Sequence, residues 1–327
     1  MIDVHAHVVL PGTLGAAGPY GPEIVTDAAG GPSFRTGRYT FTGVRYENSA
    51  FVDPGVRLAA MDEAGITFQV LSPNPLTYFH HIEAEVAAAF CRRHNDELAR
   101  VVAAHPHRLG GLAALALQDP GAAAAELRRS VTELGLLGAA FGTSVGRSLD
   151  DPALDPLWAA AVELDVPLFL HPGLDCVDAP HPDPRLERFD LELVVGFAAE
   201  ETLAVATLIY GGVLDRHPAL DLCLSHGGGA VAFLFGRLRQ ATRVRAWASP
   251  ELAAPGGFEH RLARLWFDCH VHDRRSLAFL IEMVGAERLV IGTNFAGWDQ
   301  GAPPEDPALQ ERLTANARRL LRLDRPS

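Results

Sequence analysis

Ile2-Asp3-Val4-His5-Ala6-His7-Val8 is an apolar run carrying two histidines two positions apart. On an extended strand such residues share one face, so both imidazoles point the same way. Seven comparable runs follow, at Thr67–Leu71, Leu109–Leu117, Leu136–Phe141, Val166–His171, Leu220–His226, Leu265–Val271 and Leu289–Thr293. Most are near-continuously apolar, the pattern of parallel strands buried on both faces. Helical patterns alternate with them at Val56–Glu63, Glu83–Ala104, Ala122–Leu134, Leu157–Leu164, Glu201–Leu214, Ala232–Arg243, Ser276–Val284 and Ala308–Leu323. Gly65, Pro106, Gly135 and Pro218 close several of them. Eight such alternations predict an α/β chain forming a single (β/α)₈ TIM barrel over residues 1–327. The rival, an open doubly wound sheet, would carry a glycine-rich dinucleotide turn after its first strand, and none is there.

Two stretches break the rhythm. Residues 9–55 are too long for an ordinary βα loop, and Arg38–Tyr46 alternates around Gly43 like a small hairpin. Residues 172–196 are rich in Pro, Asp and His. Both follow a strand, so both belong on the catalytic face of a barrel, covering or lining the site or serving packing and dimer formation.

Of the 327 residues, 48% are hydrophobic and 21% charged, which excludes a disordered chain. The net charge of −12, with no basic stripe against it, argues against a nucleic-acid partner. No uncharged apolar run of about 20 residues is present to span a membrane. Met1–His5 has neither the basic nor the apolar region of a secretion signal. Cys91, Cys176, Cys223 and Cys269 are scattered, without a CxxC pair, as in a reduced cytoplasmic protein.

The chemistry gathers at strand ends. An HxH pair on a strand can reach one cation, and two unpaired buried imidazoles would otherwise cost free energy. His171 ends Leu168-Phe-Leu-His-Pro-Gly173, and His226 ends the apolar part of Leu222-Cys-Leu-Ser-His-Gly-Gly-Gly229. Barrel enzymes place their reactive groups at such positions. The eighth strand of a mononuclear metal site would supply a carboxylate, yet Val290-Ile-Gly-Thr-Asn294 ends in an amide. An amide oxygen can bind a cation, but it brings no charge and accepts no proton. The cation's full positive charge would then remain to attract an anionic substrate. Asp268, His270 and His272 alternate on one face of strand seven, where Asp268 could orient a neighbour. His80 and His81 follow strand two, one of them a candidate to line the substrate site, and Asp299 lies within reach of the eighth strand's end. GxSxG and Walker patterns are absent.

The order HxH, HPG, SHGGG and IGTN on eight βα units resembles the amidohydrolase superfamily, and within it the aminocarboxymuconate-semialdehyde decarboxylase group. The likeness includes Arg57-Leu-Ala-Ala-Met-Asp62, Gln69-Val-Leu-Ser72, Glu201-Thr202, Gly212-Val-Leu-Asp-Arg-His-Pro218, and His226-Gly-Gly-Gly running on to Gly236-Arg237. The resemblance implies one divalent metal, zinc by expectation, held by His5, His7 and His171. It implies an acid/base role for His226 and a substrate-carboxylate role for Arg237, reaching in from a neighbouring subunit of a homodimer. Arg45 matches a second carboxylate-binding arginine with different local spacing. At Asn294 the decarboxylases carry Asp, and relatives that hydrate or hydrolyse ring-cleavage products carry Glu.

The reading is a metal-dependent non-oxidative decarboxylase of a small unsaturated or aromatic carboxylate. Two alternatives stand beside it. One is a hydratase or C–C hydrolase on the same scaffold. The other is a catalytically impaired ligand-binding homologue, kept open by Asn294. The expected site is His226 and Asp268 for catalysis, His5, His7, His171 and Asn294 for metal, and Arg237, Arg45 and His80 for substrate.

Overall fold

The computed structural model describes residues 1–26, 30–42, 46–174 and 183–324. Its strands are β1 (Ile2–Val8), β2 (Glu23–Thr26), β3 (Pro32–Thr36), β4 (Tyr39–Phe41), β5 (Phe68–Pro73), β6 (Leu109–Gly111), β7 (Ala113–Ala114), β8 (Ala139–Phe141), β9 (Leu168–Leu170), β10 (Leu222–Leu224), β11 (Trp266–Asp268) and β12 (Leu289–Val290). All but β2, β3 and β4 pair in parallel. β6 and β7 are two pieces of one strand, joined at Leu112, whose N–H still donates to Leu71. The ring closes where Val4 N–H donates to the Ile291 carbonyl and Ala6 bridges Phe295 in parallel. Eight strands form the predicted barrel.

Helices α1 (Pro54–Glu63), α2 (Ala84–Ala104), α3 (Pro120–Thr132), α4 (Asp155–Leu164), α5 (Phe197–Tyr210), α6 (Val213–Arg216), α7 (Val231–Val244), α8 (Pro250–Ala253), α9 (Gly257–Leu262), α10 (Arg274–Val284) and α11 (Pro307–Leu320) connect the strands. Several begin a residue or two before the first apolar position. Asp53, Asp119 and Asp306 cap α1, α3 and α11 with a side-chain oxygen, and a proline follows each of them. That cap satisfies N–H groups the helix cannot, and proline at the first position needs no partner. Residues 192–210 form a continuous apolar helical stretch, long enough on average hydropathy to cross a membrane. In the fold it is the connection after β9, and its buried Glu201 bonds His226 across the barrel rim.

One buried cluster takes Val4, Val70, Leu112, Ala140, Phe169, Cys223, Trp266 and Val290, a residue from each of the eight strands, together with Ala317, Leu320 and Leu321 at the end of α11. This floor fills the barrel below the polar groups. In β1 the register slips between Asp3, opposite Gln69, and Ala6, opposite Leu71. The extra residue is a β-bulge. It takes the His5 N–H out of the ladder to donate to Asp3 Oδ1 at 3.1 Å. Strict alternation would put Asp3 with His5 and His7; instead Asp3 accepts from Thr293 and Gln69. Buried Arg57 on α1 then fixes the strand end, donating to Gln69 Oε1 and to the His7 carbonyl, each at 2.6 Å.

The insertion after β1 holds a three-stranded antiparallel sheet, β2-β3-β4. One tight turn of this sheet is at Gly37, whose φ is +53°; the turn expected around Gly43 lies outside the described residues. Phe34 of this sheet stacks on Tyr46, and they join Phe51, Leu76 and Leu174 in a small roof cluster.

Candidate active site

β1 and the ends of β9 and β10 bring four histidines into edge contact. Ring centroids lie 5.1 Å apart for His5–His7, 4.9 Å for His5–His171 and 4.9 Å for His171–His226. Hydrogen bonds assign the protons. His7 Nδ1 donates to the Pro73 carbonyl at 3.1 Å, and His171 Nδ1 donates to the Pro172 carbonyl at 2.7 Å. His5 Nδ1 donates to Asp268 Oδ2 at 2.7 Å. Each neutral ring therefore presents a lone pair on Nε2. His5 Nε2 and His7 Nε2 face each other at 3.3 Å, and His171 Nε2 is buried without a partner. Two facing lone pairs and an orphaned third are unfavourable unless something positive sits among them. A separation of about 3.3 Å is what two tetrahedral ligands on Zn–N bonds of about 2.0–2.1 Å would have. The three residues fit a divalent metal.

Burial holds these rings neutral. Desolvation, and next the neighbouring imidazoles, set His5 and His171 well below the ordinary histidine value. His7 is lowered by burial to about 3. Asp268 is fully buried and joins three segments, accepting from His5 Nδ1, the Gly227 N–H at 3.2 Å and the His270 N–H at 3.1 Å. It orients groups rather than lining the cavity.

His226 is set differently. Its backbone has φ +46°, and Gly227, Gly228 and Gly229 follow at +64°, +73° and +67°, turning the chain sharply off β10. A Cβ at Gly229 would sit 2.1 Å from the Ala198 carbonyl, so this close approach to α5 requires glycine. Thr202 Oγ1 accepts from Ala230 N–H across the same junction. His226 Nδ1 thereby meets Glu201 Oε1 at 2.6 Å, and Ser225 donates to the same oxygen. Burial alone would lower the His226 pKa. The Glu201 carboxylate, with Asp268 and Asp299, outweighs it and pushes the value up to about 9. In the metal-free protein these carboxylates favour the imidazolium form of His226 at neutral pH.

These groups open into a cavity of about 470 Å³ lined by His7, His171, Glu201, His226, His270 and Asn294 at its base. Phe41, Tyr46, Phe51, Leu174, Leu193 and Phe197 wall it, so both insertions and the start of α5 form its sides. Among the described residues no Arg or Lys lines it. Asn294, buried at φ +48°, donates from Nδ2 to Asp299 Oδ1, leaving its Oδ1 buried without a partner.

The Amidohydrolase family matches residues 2–323. The chain belongs to the amidohydrolase family. It is 34% identical over 251 residues to a 2-amino-3-carboxymuconate-6-semialdehyde decarboxylase of Dictyostelium discoideum, covering 74% of this chain and 66% of that protein. It is 32% identical over 295 residues to a gamma-resorcylate decarboxylase of Rhodococcus jostii (strain RHA1), covering 83% of this chain and 88% of that one. A dihydroxybenzoic acid decarboxylase from Polaromonas sp. JS666, solved with bound manganese and 2-nitroresorcinol, superposes with a TM-score of 0.75 at 26% identity, covering 99% of this chain and 97% of that one.

In this amidohydrolase the expected residues divide. His5, His7, His171, His226, Asp268 and Asn294 come together. Arg237 is exposed on α7 and does not line its own chain's cavity, and Arg45 lies outside the described residues. His80 lines a neighbouring pocket of about 170 Å³ rather than the main cavity, its Nε2 accepting from Gly142 N–H. Burial lowers its pKa to about 3. His81 does not line the main cavity either. Sequence reading noted Glu201 only as part of a resemblance. The signal was there: a glutamate inside the apolar run Phe197–Tyr210 stays buried only with a polar partner. Asp299, bonded to His270 Nε2 at 3.1 Å and to Asn294, is with Glu201 the second acidic group to line the cavity.

Proposed function

We propose that the protein is a metal-dependent non-oxidative decarboxylase of a small aromatic or unsaturated carboxylate. The observation that carries this reading is the Glu201–His226 pair, a histidine whose Nδ1 is held by a buried carboxyl group at the base of an aromatic-walled cavity. A divalent ion on His5, His7 and His171, zinc by ligand type, would supply Lewis-acid attraction for the substrate's carboxylate and an adjacent oxygen. The flat apolar walls favour a ring or conjugated chain. His226 Nε2 gives its proton to the carbon bearing the carboxylate, and that C–C bond then breaks to release CO₂. The neutral His226 regains a proton from solvent, and Glu201 restores its charge. General acid catalysis of this kind contributes about 10²–10⁴-fold.

Hydration or C–C hydrolysis would need a base to activate water. Asn294 accepts no proton, and Asp299 is already engaged by His270, His272 and Asn294, which favours decarboxylation. With no described Arg or Lys in the cavity, a substrate carboxylate must find its charge partners in His226, in the metal or beyond this chain. Arg237 shares the face of α7 with Phe233, which is 82% exposed. That pairing supports a homodimer in which Arg237 serves the partner's site. The described cysteines Cys91, Cys223 and Cys269 are free and buried, in keeping with a cytoplasmic setting.

Metal-loaded protein should release CO₂ from ortho-hydroxybenzoates or conjugated dicarboxylates, and in D₂O it should leave deuterium at the vacated carbon. Water addition without CO₂ would favour the hydratase reading. Tight binding without turnover would favour an impaired homologue.

A further inference from the structure

Next to the main cavity lies the smaller pocket of about 170 Å³, lined by Tyr78 and His80 from the segment after β5. Pro75, Leu76 and Leu174 line both cavities, while the exposed Ser144 and Gly146 line only the smaller and open it toward solvent. Phe79 takes φ +52°, and its ring packs on Phe90 while those of Tyr78 and His80 stack on each other at 5.7 Å. Such a backbone is costly for a bulky residue and persists only where its surroundings impose it. Two polar groups of this segment are unanswered. His80 Nε2 accepts from Gly142 N–H, so the ring proton sits on Nδ1, and that N–H is buried with no acceptor among the described residues. The Tyr78 hydroxyl, on a residue only 6% exposed, is also buried without a partner among them. Buried donors left unmet cost free energy and are uncommon unless something else answers them.

Charge and size narrow what can answer them. No Asp, Glu, Lys or Arg lines the pocket among the described residues, and burial holds His80 neutral. A carboxylate entering it would lose hydration and meet no counter-charge. A cavity of about 150 Å³ holds one benzene ring, so this one admits a single ring. We propose that the side pocket binds an uncharged one-ring phenol, its hydroxyl accepting from His80 Nδ1 and pairing with the Tyr78 hydroxyl. Under the decarboxylase reading this is the chemical class of the product, because a hydroxylated aromatic acid leaves as a neutral phenol once its carboxylate has gone as CO₂. The two cavities then sort by charge, the main one taking the anion and the side pocket the neutral ring. The segments that line both also supply the Pro73 and Pro172 carbonyls that orient His7 and His171. A ring in the side pocket therefore bears on the wall of the main cavity, and product inhibits without competing for the substrate's place. This kinetic consequence rests on the decarboxylase reading; the binding itself does not.

The test is nitrogen-15 NMR of the imidazoles in zinc-loaded protein titrated with phenol, His80 being assigned through His80→Gln. The His80 Nδ1 signal should move saturably with phenol and stay still with benzoate. Tyr78→Phe, which removes only the hydroxyl, should weaken phenol binding by about three- to tenfold, the usual effect of one lost hydrogen bond. A still His80, an equal response to benzoate, or undiminished binding in Tyr78→Phe overturns the site. Movement confined to His171 and His226 places phenol in the main cavity and overturns it as well. In turnover assays phenol should lower kcat in the unaltered protein, and less so in Tyr78→Phe. Purely competitive inhibition would overturn the coupling between the cavities. A His80 response in a protein that releases no CO₂ leaves the pocket standing and overturns the decarboxylase reading alone.

Discussion

His171 and His226 end neighbouring strands with their rings 4.9 Å apart, yet they carry opposite protonation. The difference lies in what stands behind each ring. His171 and His7 donate to backbone carbonyls, which orient them without adding charge, and burial then keeps them neutral. His226 donates to the buried Glu201 carboxylate, and that charge overcomes the same burial. His5 tests the rule, because it too bonds a carboxylate, Asp268. Desolvation and the neighbouring His7, His226 and His270 rings outweigh that bond, so His5 stays neutral with the metal-facing set. One cavity thus holds a cation-binding side and a proton-donating side built from the same residue type.

The comparison can be broken from either side. The largest effect is expected from the double variant His5→Ala/His7→Ala. Elemental analysis should find its metal reduced from about one per chain to near zero, and turnover should fall to background. Equal metal in both proteins would end the claim for the cation side.

Glu201→Gln should leave metal content intact and cut turnover by about 10²–10⁴-fold, the range for losing a general acid. The high-pH limb of its kcat profile should move down from about 9 toward neutrality, because His226 loses the charge that raises it. A limb that does not move would show that Glu201 is merely structural.

Asn294→Asp sharpens the cation side. A carboxylate should tighten metal binding by about tenfold, and turnover should fall as the site loses positive charge. A gain in turnover would mark Asn294 as a lost function instead.

An effect of a different kind is on the acid stability of the metal-free protein. His7 and His94 have pKa values lowered by burial to about 3 and about 4. Below about 6.5 the unfolded chain protonates these histidines and the folded one does not. Stability should therefore fall as pH drops through that window, by up to about 1.4 kcal/mol per unit for each group. Thermal melts between pH 7 and pH 4 would show it, and a flat profile would mean these rings are already charged in the fold.

Much of this was legible in the residues. Eight apolar runs announced eight strands, and the metal-facing histidines stood out because each ends or interrupts such a run. The lower layer was hidden for physical reasons. Glu201 and His226 are 25 positions apart and meet only because Gly229 lets α5 approach the end of β10. The bulge in β1 changes which side chains share a face, and alternation alone cannot show an inserted residue. The strands Glu23–Thr26 and Pro32–Thr36 carry too little periodicity in a long insertion to stand out before the roof is assembled. Asp299 meets Asn294 only five positions back, but its contact with His270 spans 29 positions and is not announced by chain position.

The central claim is that His226 carries a proton on both ring nitrogens while the metal-facing His5, His7 and His171 carry only one. Nitrogen-15 NMR of the imidazoles, with His226 assigned through His226→Gln, measures this directly. At pH 7.5 the metal-free protein should show His226 as an imidazolium that titrates near 9, while His7 and His171 are neutral with the proton on Nδ1. The His226 signal should become neutral in Glu201→Gln. A neutral His226 at pH 7.5 in the unaltered protein, or a protonated His7 beside it, would contradict the account.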